Sequence, residues 1–433
     1  MSGAAVWPWL AEGQETRRIP VLTTDGPFPI SIDVVQSDLN FTELHRRMEW
    51  YVDQDILSCC NTLILRGTDV LDFKTFGYMD LESRTPLTED AIYRMYSSTK
   101  LVTSVAAMIL FERGHFKLDD SIAKYLPKFA DPQVLKTDAT SVTDVVPAAS
   151  PIVVKHVLSH SAGLSYGFIE PDSLIDKSYV QAGIDLQENL QSTLEAMCDK
   201  LADLPLVYQP GTFWRYSLAS DVVARLIEVW SGQRFDDFLQ AEIFRPLAMV
   251  DTDFYVPPEK LDRLVTMYAP TDILKPMKGG LIEADAPGRS QYAKPATFLS
   301  GGGGLVSTVS DYLRFVCMLV NEGKWNGVRI LQPATLRLMR TNQLPDHVGV
   351  NFPMWAMPGT VFGLGFALKE EPGEAEPETA KDEYHWGGMA GTHCWMAPRA
   401  NLAGMCMTQR MPGFWHPFSH DFKRLAYVAS AQW

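Results

Sequence analysis

The sequence predicts an α/β chain in which strands from both ends share one sheet around an inserted run of helices. Three observations predict it: a strand-turn-strand pattern near residue 60, helical text through the middle, and strand text that returns only after residue 360. Strands so far apart bury their apolar faces by meeting in one sheet, and the chain between them is then carried as an insertion.

Residues 1–50 read as an N-terminal extension. Asn61–Arg66 (NTLILR) and Val70–Gly77 (VLDFKTFG), parted by the turn-prone residues 67–69, read as an antiparallel hairpin. Next comes IYRMYSSTKLVTSVAAMILFERGHF, a helix that Ser97 or Ser98 can cap and that Glu112, Arg113 and Gly114 end. Its body is apolar nearly all round, so it belongs inside a domain. From Lys117 to Asp285, helical patterns such as VVKHVLSH and DVVARLIEVWSG alternate with loops rich in Pro, Asp and Gly. Strand text resumes at Gly363–Lys369, Thr392–Ala397 and Leu402–Met407, before an amphipathic segment at Asp421–Ala429. The expected partition is an α/β domain from 51–115 and 286–433 and a helical domain at 116–285.

A chain of 433 residues, 46% hydrophobic and 21% charged, can bury a sizeable core. Its formal net charge of −14 repels a phosphate backbone, and no basic stripe is interleaved with aromatics, so nucleic acid is not an expected partner. The apolar stretch Leu101–Phe111 is too short to span a bilayer, and the amino terminus lacks the order of a signal peptide. A soluble cytoplasmic protein with no membrane partner is expected, and no pattern fixes an oligomeric state. Cys59, Cys60, Cys198, Cys317, Cys394 and Cys406 form no CxxC and read as reduced, mostly buried thiols. His156 and His160, like His416 and His420, have i, i+4 spacing but no HExxH glutamate, so packing or capping is expected, with no metal and no cofactor.

Ser97-Ser98-Thr99-Lys100 is an SxxK tetrad, and i, i+3 spacing at a helix start puts hydroxyl and amine on one face within hydrogen-bond reach. Burial there disfavours the charged amine and favours the neutral form that can take the serine proton. A second tetrad, Ser121-Ile122-Ala123-Lys124, precedes a short segment ending at Pro127 and reads as a cap with a solvated lysine. Gly163-Leu164-Ser165-Tyr166-Gly167 matches the GxSxG nucleophile elbow, but helical text precedes it and no apolar helix follows, so it reads as a loop. Tyr216, in PGTFWRYSLASDVV, is the candidate proton donor to a leaving group. The glycines of YHWGGMAGT, residues 384–392, lie beside a strand where backbone amides can meet an oxyanion. A rival at Lys278-Gly279-Gly280 is followed by poor strand text.

SSTK (Ser97–Lys100), YSLASDV (Tyr216–Val222) and WGG (Trp386, Gly387, Gly388) together resemble the three motifs of the family VIII carboxylesterases, relatives of class C β-lactamases and D-Ala-D-Ala peptidases. The linking text FGYMDLESRTPLTEDAIYRMYSSTK, VKHVLSHSAGLSY and SGGGGLVSTVSDYLRF is similar too. The resemblance implies a β-lactamase-like fold, a mainly antiparallel sheet flanked by helices with an inserted helical domain, and a site in the cleft between. It implies Ser97 as acylated nucleophile, Lys100 as base and Tyr216 as proton relay. The implied oxyanion hole is the Ser97 amide plus that of Met389, or Gly388 after a one-residue slip.

Two positions depart from the β-lactamases of this fold: Leu218 stands for the asparagine of Tyr-x-Asn, and Trp386 for the lysine of Lys-Thr-Gly. Loss of those polar anchors disfavours a β-lactam and suits an apolar ester of short to medium acyl length. HVLSHSAGLSY also resembles a fungal statin-pathway acyltransferase, so acyl transfer to an alcohol is the nearest alternative, ahead of weak β-lactamase activity or a non-catalytic sensor. Tyr166, Phe168, Trp214, Trp355, Phe362, His393 and Trp395 are the expected pocket residues.

Overall fold

A computed structural model describes residues 32–184, 192–353, 355–374, 376–414 and 416–430. The early strands are β1 (Cys59–Arg66), β2 (Asp69–Asp80) and β3 (Thr85–Pro86). The late ones are β4 (Thr360–Phe362), β5 (Ala367–Lys369), β6 (Tyr384–Gly387), β7 (Thr392–Ala397) and β8 (Leu402–Met407). They form one eight-stranded sheet in the order β4-β5-β6-β7-β8-β1-β2-β3, antiparallel throughout. The two ends of the chain meet between β8 and β1, where Asn61 lies opposite Met407. The expected strand at Gly363–Lys369 is shorter: the Gly363 amide donates to the Phe366 carbonyl and Gly365 has φ +94°, so the first half turns and β5 begins at Ala367.

Six helices bear on the site: α1 (Thr42–Asp53), α2 (Thr99–Glu112), α3 (Val154–Leu158), α4 (Ala219–Ser231), α5 (Val309–Val320) and α6 (Pro417–Ala429). The sheet is covered on both faces, which is why β1 is buried from Cys59 through Leu65. Leu63 and Leu65 join the core that holds α2, α4 and α5, whereas Cys60 and Ile64 join a second core under α1 and α6. Alternation along the strand produces this division. Helix α1 crosses the residue-50 limit expected for the N-terminal extension, because Leu44, Met48 and Tyr51 give it a buried face against the sheet. Residues 1–31 of that extension lie outside the described residues.

Helix α2 is buried at every position from Thr99 to Leu110, as its apolar circumference predicts, and it packs on α4. All six cysteines are free and buried, with the Cys60 and Cys406 sulfurs 3.5 Å apart. Among the described residues no helix is long and apolar enough to cross a membrane.

Candidate active site

Ser97 sits in a 3-10 turn, Tyr96–Ser98, that leads into α2. Neither Ser97 nor Ser98 caps the helix, contrary to expectation. Both hydroxyls have other partners: Ser98 Oγ donates to the Thr392 carbonyl at 2.7 Å, and Ser97 Oγ faces the cleft. Tyr96 has φ +43°, a left-handed conformation that costs a non-glycine residue and persists because its surroundings over-determine it. They do so here, since the Met95 amide donates to Leu305 O at 2.8 Å and the Tyr312 hydroxyl donates to Ser98 O at 2.9 Å.

Two side chains converge on the Ser97 hydroxyl. Lys100 Nζ lies 3.3 Å from Ser97 Oγ and the Tyr216 hydroxyl 2.5 Å from it, although Lys100 comes from α2 and Tyr216 from the segment before α4. Lys100 is only 2% exposed. Its amine donates to the Gly302 carbonyl at 2.6 Å and the Tyr166 hydroxyl at 2.9 Å, and lies 4.6 Å from the centre of the Tyr216 ring. Trp386 Nε1 donates to the Tyr216 hydroxyl at 3.4 Å. An amine so enclosed meets the serine along one direction, which a solvated lysine would not.

A buried carboxylate stands behind the lysine. Asp221, on α4, accepts from Ser300 Oγ at 2.6 Å and from the Gly302 amide at 3.0 Å, while its Oδ2 has no hydrogen-bond partner among the described residues. Burial raises its pKa, opposed by the charge of Lys100 and by those two bonds. One peptide thus links the pair, with Gly302 giving its N–H to Asp221 and its carbonyl to Lys100. Burial, with the charge of Lys100 next, pushes the His160 imidazole well below its ordinary range; burial likewise pushes the Tyr166 phenol well above its own. Both rings are therefore neutral near pH 7.

The WGG segment runs alongside the serine turn. A side chain at Gly388 would bring its Cβ within 2.2 Å of both Met95 O and Thr392 Oγ1, so the close approach requires glycine. The Gly388 amide is already engaged by Thr392 O at 2.7 Å, whereas the amides of Ser97 and Met389 have no backbone acceptor among the described residues. Both residues line the cleft.

The other sequence candidates lie elsewhere or play supporting parts. Ser121 Oγ accepts from the Ala123 amide as a cap, and Lys124 is exposed beside Asp120. Ser165 is buried in a loop after α3, bonded to Asp176 at 2.5 Å and Arg215 Nε at 2.8 Å. Lys278-Gly279-Gly280 closes the hairpin of Met267–Pro270 and Leu281–Asp285, with Gly279 against the Gln54 carbonyl. Trp214 and Phe362 pack behind Tyr216 and Trp386. Trp395 does not reach the pocket. It belongs to the opposite core and stacks on Tyr427 of α6, because Trp386 pairs with Cys394 across the strands and the neighbours of Cys394 point the other way. His393 shares that face, where burial lowers its pKa to about 4 and its ring rests against Phe414.

Among the described residues no cluster of His, Cys, Asp or Glu could hold a metal; His416 instead caps α6 and bonds Pro276 O. Phe352 and Phe414, absent from the expected pocket, line it beside the expected Met389. Phe352 and Trp355 lie opposite each other in a two-residue hairpin and Phe414 in a turn, segments too short to show a period in the sequence.

The sequence model of the Beta-lactamase family matches residues 54–428. The chain belongs to that family. It is 28% identical to Esterase EstB of Burkholderia gladioli over 385 residues, covering 86% of this chain and 91% of the esterase. A lovastatin esterase of Penicillium rubens is 31% identical over 268 residues, 60% of this chain and 61% of that protein. Among solved structures, EstCE1, a hydrolase with promiscuous acyltransferase activity, superposes with TM-score 0.75 at 27% identity, covering 89% of this chain and 97% of its own. The simvastatin synthase LovD of Aspergillus terreus matches with TM-score 0.74 at 23% identity, over 90% and 98% of the two chains. At that identity the likeness speaks for the fold.

Proposed function

We propose that this chain is a serine carboxylesterase that hydrolyses short to medium acyl esters through an acyl-enzyme on Ser97. The observation that carries the reading is the convergence of Lys100 Nζ and the Tyr216 hydroxyl on one serine oxygen. Lys100 acts as base and Tyr216 as relay: the Ser97 proton moves onto this pair as Oγ attacks the ester carbon. The oxyanion is met by the amides of Ser97 and Met389, since that of Gly388 is engaged by Thr392. Tyr216 then hands a proton to the departing alkoxide, and water repeats the sequence on the acyl-enzyme. The same reading divides the chain into an α/β domain, 51–115 and 286–433, and a helical domain, 116–285, with the substrate site in the cleft between them. Six free thiols suit a reducing compartment, the cytoplasm.

A second reading, acyl transfer to an alcohol, is favoured by the aromatic wall beside Ser97, which holds an organic acceptor better than water. Both readings share the acyl-enzyme, so the test separates them in order. Wild type, Ser97→Ala and Ser165→Ala are assayed on p-nitrophenyl esters from acetate to octanoate and on nitrocefin, with and without added alcohol. Ester turnover that Ser97→Ala abolishes and Ser165→Ala keeps is expected, with little on nitrocefin. The reverse pattern rejects the mechanism.

A further inference from the structure

Ser97 stands on the partition between two cavities of unlike chemistry. One, about 860 Å³ with its open mouth, is walled by Phe168, Phe352, Trp355 and Phe414 together with Tyr216. The rings brace one another: Phe352 stacks on Trp355 at 5.3 Å, Trp355 meets Phe414 edge-on at 5.2 Å, and Phe352 leans on Tyr216 at 5.4 Å. Among the described residues no charged side chain lines it. The other cavity, about 1310 Å³, also has aromatic walls, Tyr96, Tyr166, Phe254, Tyr292 and Phe298, but adds the backbone of the Gly302–Gly304 run and the polar side chains of Gln291 and Lys294. Ser97, Phe168 and Met389 are common to both.

We infer that the aromatic lobe is the alcohol site, that the glycine-lined lobe receives the acyl chain, and that the enzyme takes esters of bulky, uncharged aromatic alcohols. The inference rests on the esterase reading and adds direction to it. Attack forms the Ser97 Oγ–carbon bond, and collapse breaks the bond from that carbon to the alcohol oxygen. The proton taken from Ser97 must reach that oxygen, so the oxygen lies within hydrogen-bond reach of the Tyr216 hydroxyl. Tyr216 lines the aromatic lobe; the second lobe has Tyr166 at the corresponding place, its hydroxyl occupied by Lys100. The neutral alcohol therefore leaves past Tyr216 into the rings. The ester carbonyl sits on the partition beside the Ser97 and Met389 amides, and the acyl chain points the other way. The apolar aromatic wall selects an aromatic alcohol over a small one by the area that it removes from water.

The test is a grid of kcat/KM values: butyrates of ethanol, benzyl alcohol and 2-naphthylmethanol, and benzyl esters of acetate, butyrate and octanoate. Wild type is expected to favour the naphthylmethyl over the ethyl ester by about tenfold or more. Trp355→Ala should flatten that alcohol ranking to within about threefold and leave the acyl ranking as it was. Gly303→Val should do the converse, lowering octanoate relative to acetate by about tenfold. Gly303 lines the acyl lobe, and a Cβ there would meet nothing nearer than Tyr96 at 3.7 Å. Phe414→Leu replaces Trp355→Ala where the latter does not fold. Crossed effects, or a wild type indifferent to the alcohol while it turns over all the esters, overturn the assignment and leave the esterase reading standing. No turnover of any ester by folded wild type overturns both.

Discussion

The chain carries the same tetrad twice, and the two copies have opposite fates. Ser97 and Lys100 open a helix buried on every side, and Lys100 has a serine, a tyrosine and a carbonyl as partners. Ser121 and Lys124 open a single 3-10 turn, Ile122–Lys124, where the serine caps the backbone and the lysine stands in solvent. Spacing is common to both, so spacing is not what makes a nucleophile. The difference lies in what surrounds the amine and in whether the hydroxyl is free of a capping bond. A cap spends the oxygen on a neighbouring backbone amide; Ser97 Oγ instead accepts from Tyr216 and Lys100.

Five substitutions sharpen or break this contrast, in order of expected effect. Ser97→Ala should remove ester turnover by a factor of about 10⁴ or more, read as kcat/KM on p-nitrophenyl butyrate. Lys100→Met, close in size, should cost about 10³-fold at neutral pH; near-normal activity would show another base at work. Tyr216→Phe keeps the ring packing and removes the hydroxyl, so a loss of about 10²-fold in kcat with KM little changed is expected. Ser165→Ala should keep activity within about threefold while lowering thermal stability, because Asp176 and Arg215 each lose one bond, about 1 kcal/mol apiece, though they keep their own ion pair. Ser121→Ala should leave kinetics untouched and lower the melting temperature by about 2 °C through a lost cap of about 1 kcal/mol. Loss of turnover there would erase the distinction between the tetrads.

Much of the molecule was legible because its signals are local. Thr392–Ala397 and Leu402–Met407 are strands with the bounds that their text predicts, and the hairpin near residue 60 is present. The Ser97, Lys100 and Tyr216 motifs could be read in order, and the structure brings the three side chains together. What was not legible depends on partners distant in the chain. Trp395 was expected in the pocket, but the pairing of Trp386 with Cys394 decides its face, and no local pattern states that pairing. Phe352 comes from a short hairpin and Phe414 from a distant turn, and their contact at 6.0 Å exists only once both have folded against Trp386. Asp221 lies in the quoted YSLASDV motif, yet its link to Lys100 runs through Gly302 from another segment.

The seam between β8 and β1 brings together residues 346 positions apart, as the Cys60 and Cys406 contact records. During synthesis β1 and β2 leave the ribosome well before the neighbour that completes β1 and the WGG segment that flanks Ser97. A chain released before Met407 would hold its nucleophile without its scaffold. The acyl site therefore cannot assemble until β8 has followed β1 across that separation, and removal of β8 would take away the neighbour of β1 however intact the earlier strands remain.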